Sequence, residues 1–314
     1  RNVMYKPGEE SEDAACLKLY DGHDWKWFRA GLLHTDMEYL RRHWSGKKSS
    51  APVLEKRHQK YYLRFSYTEE VTLSKTPVKD QLICSVDLGI NTDAVCSIMR
   101  SDGTVLDRKF INFPSEKDRL SHVLGRIRRF QKEHGSKQIG SRWAYAKRLN
   151  TELARKTARS IAEYAHENHA DVIVFEYLEM KGKISGKKRQ KLHLWKKREI
   201  QTMCEHKAHR YGIRVSRVCA WNTSRLAYDG SGPVSRDPKN HSLCVFQSGK
   251  QYNCDLSASY NIGARYWIRE IIKTLPETER SSLEAKVPAV KRRTSCVYAD
   301  LLILQNEYGC SKAA

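Results

Sequence analysis

No stretch of this chain approaches the ~20 consecutive apolar residues that a membrane-spanning helix requires, and no amphipathic lipid anchor stands out. A membrane is therefore not the expected partner. Acidic residues are scarce: 36 Asp and Glu face 57 Lys and Arg, a net charge of +21. A surplus of that size, spread along the whole length, points to a polyanion, and nucleic acid is the one that fits best. The opening residues Arg-Asn-Val-Met-Tyr lack the apolar core of a secretory signal. A disulfide framework is missing too, because the nine cysteines are an odd count and Cys84, Cys96 and Cys219 sit inside apolar runs. Such thiols suit a reducing cytosol. No internal repeat is visible. What is present is a globular composition, 40% hydrophobic over 314 residues, enough for one large or two modest domains.

The first 80 residues or so mix short helix and strand signals without a catalytic cluster. KYYLRFSYT, from Lys60 to Thr68, alternates as a strand does, with Tyr61, Leu63 and Phe65 on one side. The polar stretch from Ser74 to Asp80, containing Pro77, reads as a linker, so a boundary is expected near residue 80. Beyond Gln81 the pattern changes. ICSVDLG (83–89) is a short apolar strand with an acid near its end, AVCSIMR (94–100) is a second strand, and Ser101-Asp102-Gly103 turns into a third, TVLDRKFINF.

Helices are expected over roughly 115–133 and 140–169. The second carries an apolar stripe of Trp143, Ala146, Leu149, Leu153, Thr157, Ile161, Tyr164 and Ala165. Its other faces hold Arg142, Lys147, Arg148, Arg155, Lys156 and Arg159. DVIVFEYL (171–178) reads as a buried strand with Glu176 near its end. Residues 181–198, KGKISGKKRQKLHLWKKR, form a very basic loop leading into a helix that runs to about Tyr211. GIRVSRV (212–218) is a further strand. Residues 222–254 make a small loop-rich insert, and the segment from Asp255 is helical. The tail past Pro276 reads as irregular until LLIL at 301–304.

Three acids stand out by position: Asp87, Glu176 and Asp255. Two lie at the ends of apolar strands, where an ionised carboxylate is costly unless something compensates it. Magnesium is one answer, since it favours a few carboxylates plus substrate phosphate oxygens. Two such ions ~3.5–4 Å apart would serve phosphodiester hydrolysis. Taken singly, a strand-end Asp is commonly a turn cap, and a helix-start Asp such as Asp255 is commonly an N-cap. The set, in a chain of +21, carries the argument that its members do not.

VDLGIN (86–91), VFEYLE (174–179) and CDLSASYNIGAR (254–265) resemble the three split RuvC motifs of TnpB proteins and type V CRISPR effectors. NTSRLAYDGSG (222–232) is similar to the start of their target-nucleic-acid-binding insert, and the likeness runs from about 81 to 297. The resemblance implies an α/β fold with an RNase H-like (RuvC) mixed sheet flanked by helices, over 81–221 and 255–314. It implies a target-nucleic-acid-binding insert at 222–254 and a β-rich wedge remnant within 1–80. It also implies an RNA-guided DNA endonuclease with Asp87, Glu176 and Asp255 as the magnesium-binding catalytic acids, a guide RNA and a target DNA as partners. Base pairing would read sequence while the protein holds backbone. Arg142, Lys147, Arg148, Arg155, Lys187, Lys188, Arg189, Lys196, Lys197 and Arg225 are then candidates for phosphate contacts, and Trp195 and Tyr228 for base stacking. For any single Lys or Arg a solvated surface role is the default, and for a single aromatic, core packing.

The sequence departs from the family in two places. Two CxxC pairs would bind zinc in the insert. Here LAYDG (226–230) replaces the first, and the second is reduced to Cys244 and Cys254, with nine residues between them and His241 nearby. Zinc is not expected. Little of the family's helical recognition domain is visible before residue 60, and the sequence opens at Arg1. An N-terminal part beyond it, or a second chain, is expected to supply that role. Two other functions share these residues: a guide-directed DNA-binding protein that does not cut, acting as a repressor or in transposition targeting, and a RuvC-like nuclease without a guide. The intact acid set argues against the first, and the insert against the second.

Overall fold

The computed structural model describes residues 4–8, 13–57, 59–135, 139–177, 195–237, 240, 242–291 and 295–313. The chain divides into two compact units, Arg1–Val71 and Thr72–Ala314.

The first unit is mostly short strands. β1 (Tyr5–Pro7), β2 (Ala14–Tyr20) and β3 (Trp25–Gly31) form an antiparallel sheet. Helix α1 (His34–Trp44) follows, with Asp13 bound to His34 Nδ1 at 2.6 Å and to Arg41 at 3.0 Å. The expected strand over 60–68 is split. β6 (Lys60–Arg64) pairs with β5 (Val53–Arg57), whereas β7 (Tyr67–Thr68) pairs with β4 (Lys48–Ser49). One hairpin nested inside a second antiparallel pair thus replaces one long strand.

The segment read as a linker is instead part of the second unit. Ser74 and Thr76 hydroxyls donate to Asp171 Oδ1 at 2.6 and 2.5 Å, and the Leu82 amide donates to its Oδ2 at 2.9 Å. These bonds tie the stretch to the start of two core strands.

The second unit is built on a five-stranded mixed sheet, in the order β10-β9-β8-β11-β12. Its strands are β8 (Leu82–Asp87), β9 (Ala94–Arg100), β10 (Val105–Ile111), β11 (Val172–Tyr177) and β12 (Arg214–Cys219). The first three are antiparallel, joined by tight turns, while β11 and β12 run parallel to β8. Long connections supply the crossovers that parallel strands need. Helices α2 (Pro114–His134) and α3 (Gly140–Glu167) precede β11, and α4 (Lys197–Arg210) precedes β12.

Both faces of the sheet are covered, which is why its strands read as continuous apolar runs. Cys84, Val86, Ile173 and Phe175 pack against α3 and α4 through Ala158, Ile161, Ala162, Ala165, Cys204 and Ala208. Small residues on α3 let it lie close to the sheet, so its buried stripe is richer in alanine than the expected set, and Leu149 and Leu153 are only half-buried. On the opposite face, Ile83, Met99, Val172 and Val174 meet Ile262, Trp267, Ile268 and Ile271 of helix α5 (Cys254–Thr274). Gly263 makes that approach close: a Cβ there would lie 2.4 Å from Met99 Sδ.

Between β12 and α5 the insert forms a small antiparallel sheet of β13 (Ser235–Arg236), β14 (Leu243–Val245) and β15 (Gln251–Asn253). Ala227, Cys244, Phe246 and Cys254 form its core. The tail differs from expectation. It forms α6 (Glu277–Lys286), α7 (Pro288–Lys291) and α8 (Tyr298–Ala313). Pro276 and Pro288 stand at helix starts, where proline is tolerated, so they open helices that the sequence pattern left irregular.

Candidate active site

Strand alternation decides where the acids point. On β8, Ile83 and Ser85 face α5, so Asp87 does as well; on β11, Val172 and Val174 face α5, so Glu176 follows. The parallel register pairs Phe175 with Val86, one residue before each acid. Both carboxylates thus reach the same edge of the sheet, on the same face, and each is only 7% exposed.

Asp255 comes from the first turn of α5. It is not the N-cap that its position suggested: Asn253 fills that role, its Oδ1 accepting from the Leu256 amide at 2.9 Å. That leaves the Asp255 carboxylate free for the site, where the Thr92 side chain hydrogen-bonds it. Thr92 lies in the loop that follows Asp87, so one turn connects two of the acids. Gly89 is required in that turn, because a Cβ would sit 2.5 Å from the Thr92 carbonyl oxygen.

All three acids hold their protons more tightly than ordinary carboxylates. Burial pushes Asp87 well up, and the charges of Glu176 and Asp255 push it further. Burial also raises Glu176, against the Thr223 hydroxyl and the charges of Arg265 and Lys197. Asp255 is raised by burial, against Arg236 and Thr92. This is a cluster of like charges short of counter-charge. Its oxygen-only donors are the type a hard divalent cation takes. Among the described residues, however, no group of three or more His, Cys, Asp or Glu side chains is arranged to hold a metal ion. The acids are coupled through space without forming a finished coordination sphere.

Several residues at this site were not found from sequence. Thr223, 2% exposed, donates its hydroxyl to Glu176 Oε1. Its turn is clamped by α5: Asn261 Nδ2 donates to the Thr223 and Leu226 carbonyls at 2.9 and 3.0 Å. Arg265 Nη1 donates to the carbonyls of Cys219 and Trp221 at 2.7 and 2.8 Å. The same helix therefore carries one acid and positions a ligand for another. Arg236, from β13, brings a positive charge to both Asp87 and Asp255. Only its being a cation in a polar insert marked it in the sequence.

The basic candidates separate into groups. Lys197 is half-buried and feels Glu176, and burial lowers its own proton affinity. Lys196 is engaged with Glu199 and with Thr151, 2.7 Å away. Arg142, Lys147, Arg148 and Arg155 are exposed along α3, Arg142 lying 4.3 Å from the Phe130 ring centre and Arg155 3.8 Å from Glu152. Arg225 is exposed on the Thr223 turn. Lys187, Lys188 and Arg189 lie outside the described residues. Of the two aromatics considered for stacking, Trp195 packs against the α3–α4 core. Tyr228 sits among Phe246, Tyr252, Tyr260 and Tyr298, with ring centres 5.0 to 5.9 Å away. Both pack in the protein. In the insert, Cys244 and Cys254 hydrogen-bond each other, and burial drives the Cys244 thiol up to about 12. His241 lies outside the described residues.

A family model for the Cas12f1-like TNB domain matches residues 198–262. That span takes in α4, β12, the insert and the first turns of α5, hence Thr223, Arg236 and Asp255. The chain is 26% identical to the TnpB-like protein aq_aa05 of Aquifex aeolicus (strain VF5), across 71% of this chain and 79% of that protein. It is 28% identical to the TnpB-like protein ORF457 of Acidianus two-tailed virus, across 59% of this chain and 42% of that protein. The chain is thus similar to TnpB-like proteins along most of its length and to the Cas12f1-like TNB domain across the insert. Among solved structures, its fold is similar to that of the mini-RNA-guided endonuclease CRISPR-Cas_phi3, with a TM-score of 0.51 and 15% identity. The match covers 80% of this chain and 57% of that one, so the chain spans little more than half the length of this relative. No helix among the described residues is long and apolar enough to cross a membrane.

Proposed function

We propose that the second unit is a magnesium-dependent RuvC-like nuclease that cuts DNA matched to a guide RNA. One observation carries the catalytic part: Asp87, Glu176 and Asp255 converge from two parallel strand ends and a helix start, buried and with raised proton affinity. Nothing in a purely structural role requires three carboxylates to repel one another at a sheet edge. The guided part is supported by the TNB-domain match, the TnpB-like relatives and the endonuclease whose fold the chain shares. The first unit would be the remnant of a wedge that holds the guide, with a further part or second chain completing the grip.

Asp87, Glu176 and Asp255 would hold the ions, which when bound would activate water and stabilise the leaving oxygen. The chain's own residues do the rest. Thr223 fixes the orientation of Glu176, and Asn261 and Arg265 fix Thr223. Arg236 and Lys197 put positive charge beside the acids, where a phosphodiester must enter against their repulsion. The second reading is a guided binder that does not cut.

The test is to purify the protein from its native host, sequence any RNA that accompanies it, and offer duplex DNA matching that RNA with magnesium. Cutting at the matched site is expected. A discrete RNA that directs binding without cutting would favour the second reading. Cutting by RNA-free protein would favour an unguided nuclease.

A further inference from the structure

The acids leave a neighbouring cavity unexplained. A pocket of about 500 Å³ lies on the α3–α4 side of the same sheet edge. One wall is the loop that follows Asp87, including Gly89 and Asn91, and another is Trp195 and Lys196, which lead into Lys197 beside Glu176. A strand whose phosphate lies at the acids must pass close to this opening.

The lining says what would fit. Leu120, Leu124, Leu153 and Ile200 give it an apolar floor, the usual composition of a pocket for a flat organic group. Trp195 lines it as well, its indole N–H buried and without a hydrogen-bond partner among the described residues. Trp195 is also a residue type on which a base can stack. Of the cations, Lys117 is held by Asp93 at 3.0 Å and by the Asn91 carbonyl at 2.5 Å. Arg128 is exposed at the lining and makes no ion pair among the described residues, so it is available to a phosphate.

We propose that this pocket takes one unstacked nucleobase of a bound single strand, next to the phosphodiester at the acids, with Arg128 on its phosphate. The proposal rests on the nuclease reading and adds to it a subsite that would hold the strand in register.

The probe is a single strand of about ten nucleotides, within the usual site size for such binding, carrying one 5-bromodeoxyuridine. It is irradiated with the full chain, and the adduct is mapped by mass spectrometry. An adduct on Trp195 or its pocket neighbours is expected. Ser121→Trp, which crowds the opening from an exposed position, and Arg128→Ala should each weaken strand binding about tenfold, the scale of losing one stacked base. An abasic nucleotide at the same position should cost wild type the same factor and make Ser121→Trp indistinguishable from it, while Arg128→Ala, which acts on the phosphate, keeps its own loss. Strand binding with adducts only elsewhere, and no effect of either variant, would overturn the pocket while leaving the nuclease reading intact. Loss of the adduct to competing free dTMP at concentrations that leave strand binding unchanged would make it a mononucleotide site and also overturn the proposal. A chain that binds no strand at all would overturn both readings.

Discussion

The two units use their apolar residues in opposite ways. In the first, Ala14, Ala15 and Leu17 are the buried hydrophobics among the described residues, and α1 buries none. Its large side chains, Trp25, Trp27, Phe28, Tyr61 and Tyr62, are exposed. In the second, both faces of one sheet are packed, and Trp267, Phe175, Ile173 and Ile262 are fully buried. The difference shows where geometry must be kept. Three carboxylates that repel one another stay together only if the strands and helix that carry them cannot move, and close packing supplies that rigidity. A thin sheet with displayed aromatics supplies surface.

The largest effect on stability should come from the second unit's core. Trp267→Ala is expected to cost about 3–5 kcal/mol, measured by denaturant unfolding, and to reduce cleavage, because α5 carries Asp255. The acids themselves should give a gain. Their proton affinity is raised in the folded state, so they favour folding below the unfolded carboxylate pKa, and that benefit is lost as pH rises through the folded one. Asp87→Asn should therefore raise the melting temperature at neutral pH, and the gain should vanish in acid. An equal gain at every pH would show that charge is not the cause.

A smaller effect is expected at the cap. Asn253→Ala should cost about 1 kcal/mol and lower cleavage further than that loss explains, since Asp255 lies in the turn it caps. The smallest belongs to the first unit. Trp27, 41% exposed, should change stability by less than about 0.5 kcal/mol when replaced by alanine. A loss as large as that of Trp267 would remove the contrast between the units.

Much of the second unit was legible in sequence because its strands are buried on both faces and bounded by sharp turns. AVCSIMR is β9 residue for residue, and Ser101-Asp102-Gly103 is the turn after it. The acids were legible as interruptions of such runs. The tail was not, since its helices start at prolines that read as breaks. The N-cap reading of Asp255 failed because Asn253, two residues earlier, had an equally good capping side chain. Thr223 lay inside the NTSRLAYDGSG motif with nothing to mark its role at the acids, and Arg236 was marked only as a cation in a polar insert. Their roles depend on contacts with Glu176, Asp87 and Asp255 across long sequence separations, which only the fold creates.

The central claim is that the three acids form one cutting centre, distinct from the surfaces that bind nucleic acid. Its most direct test compares wild type with Asp87→Ala, Glu176→Ala and Asp255→Ala, scoring magnesium-dependent cleavage and binding of the same matched DNA. The account predicts that each variant loses cleavage and binds as wild type does, because phosphate contacts come from Lys and Arg elsewhere. Cleavage at the wild-type rate by any one of the three would contradict it.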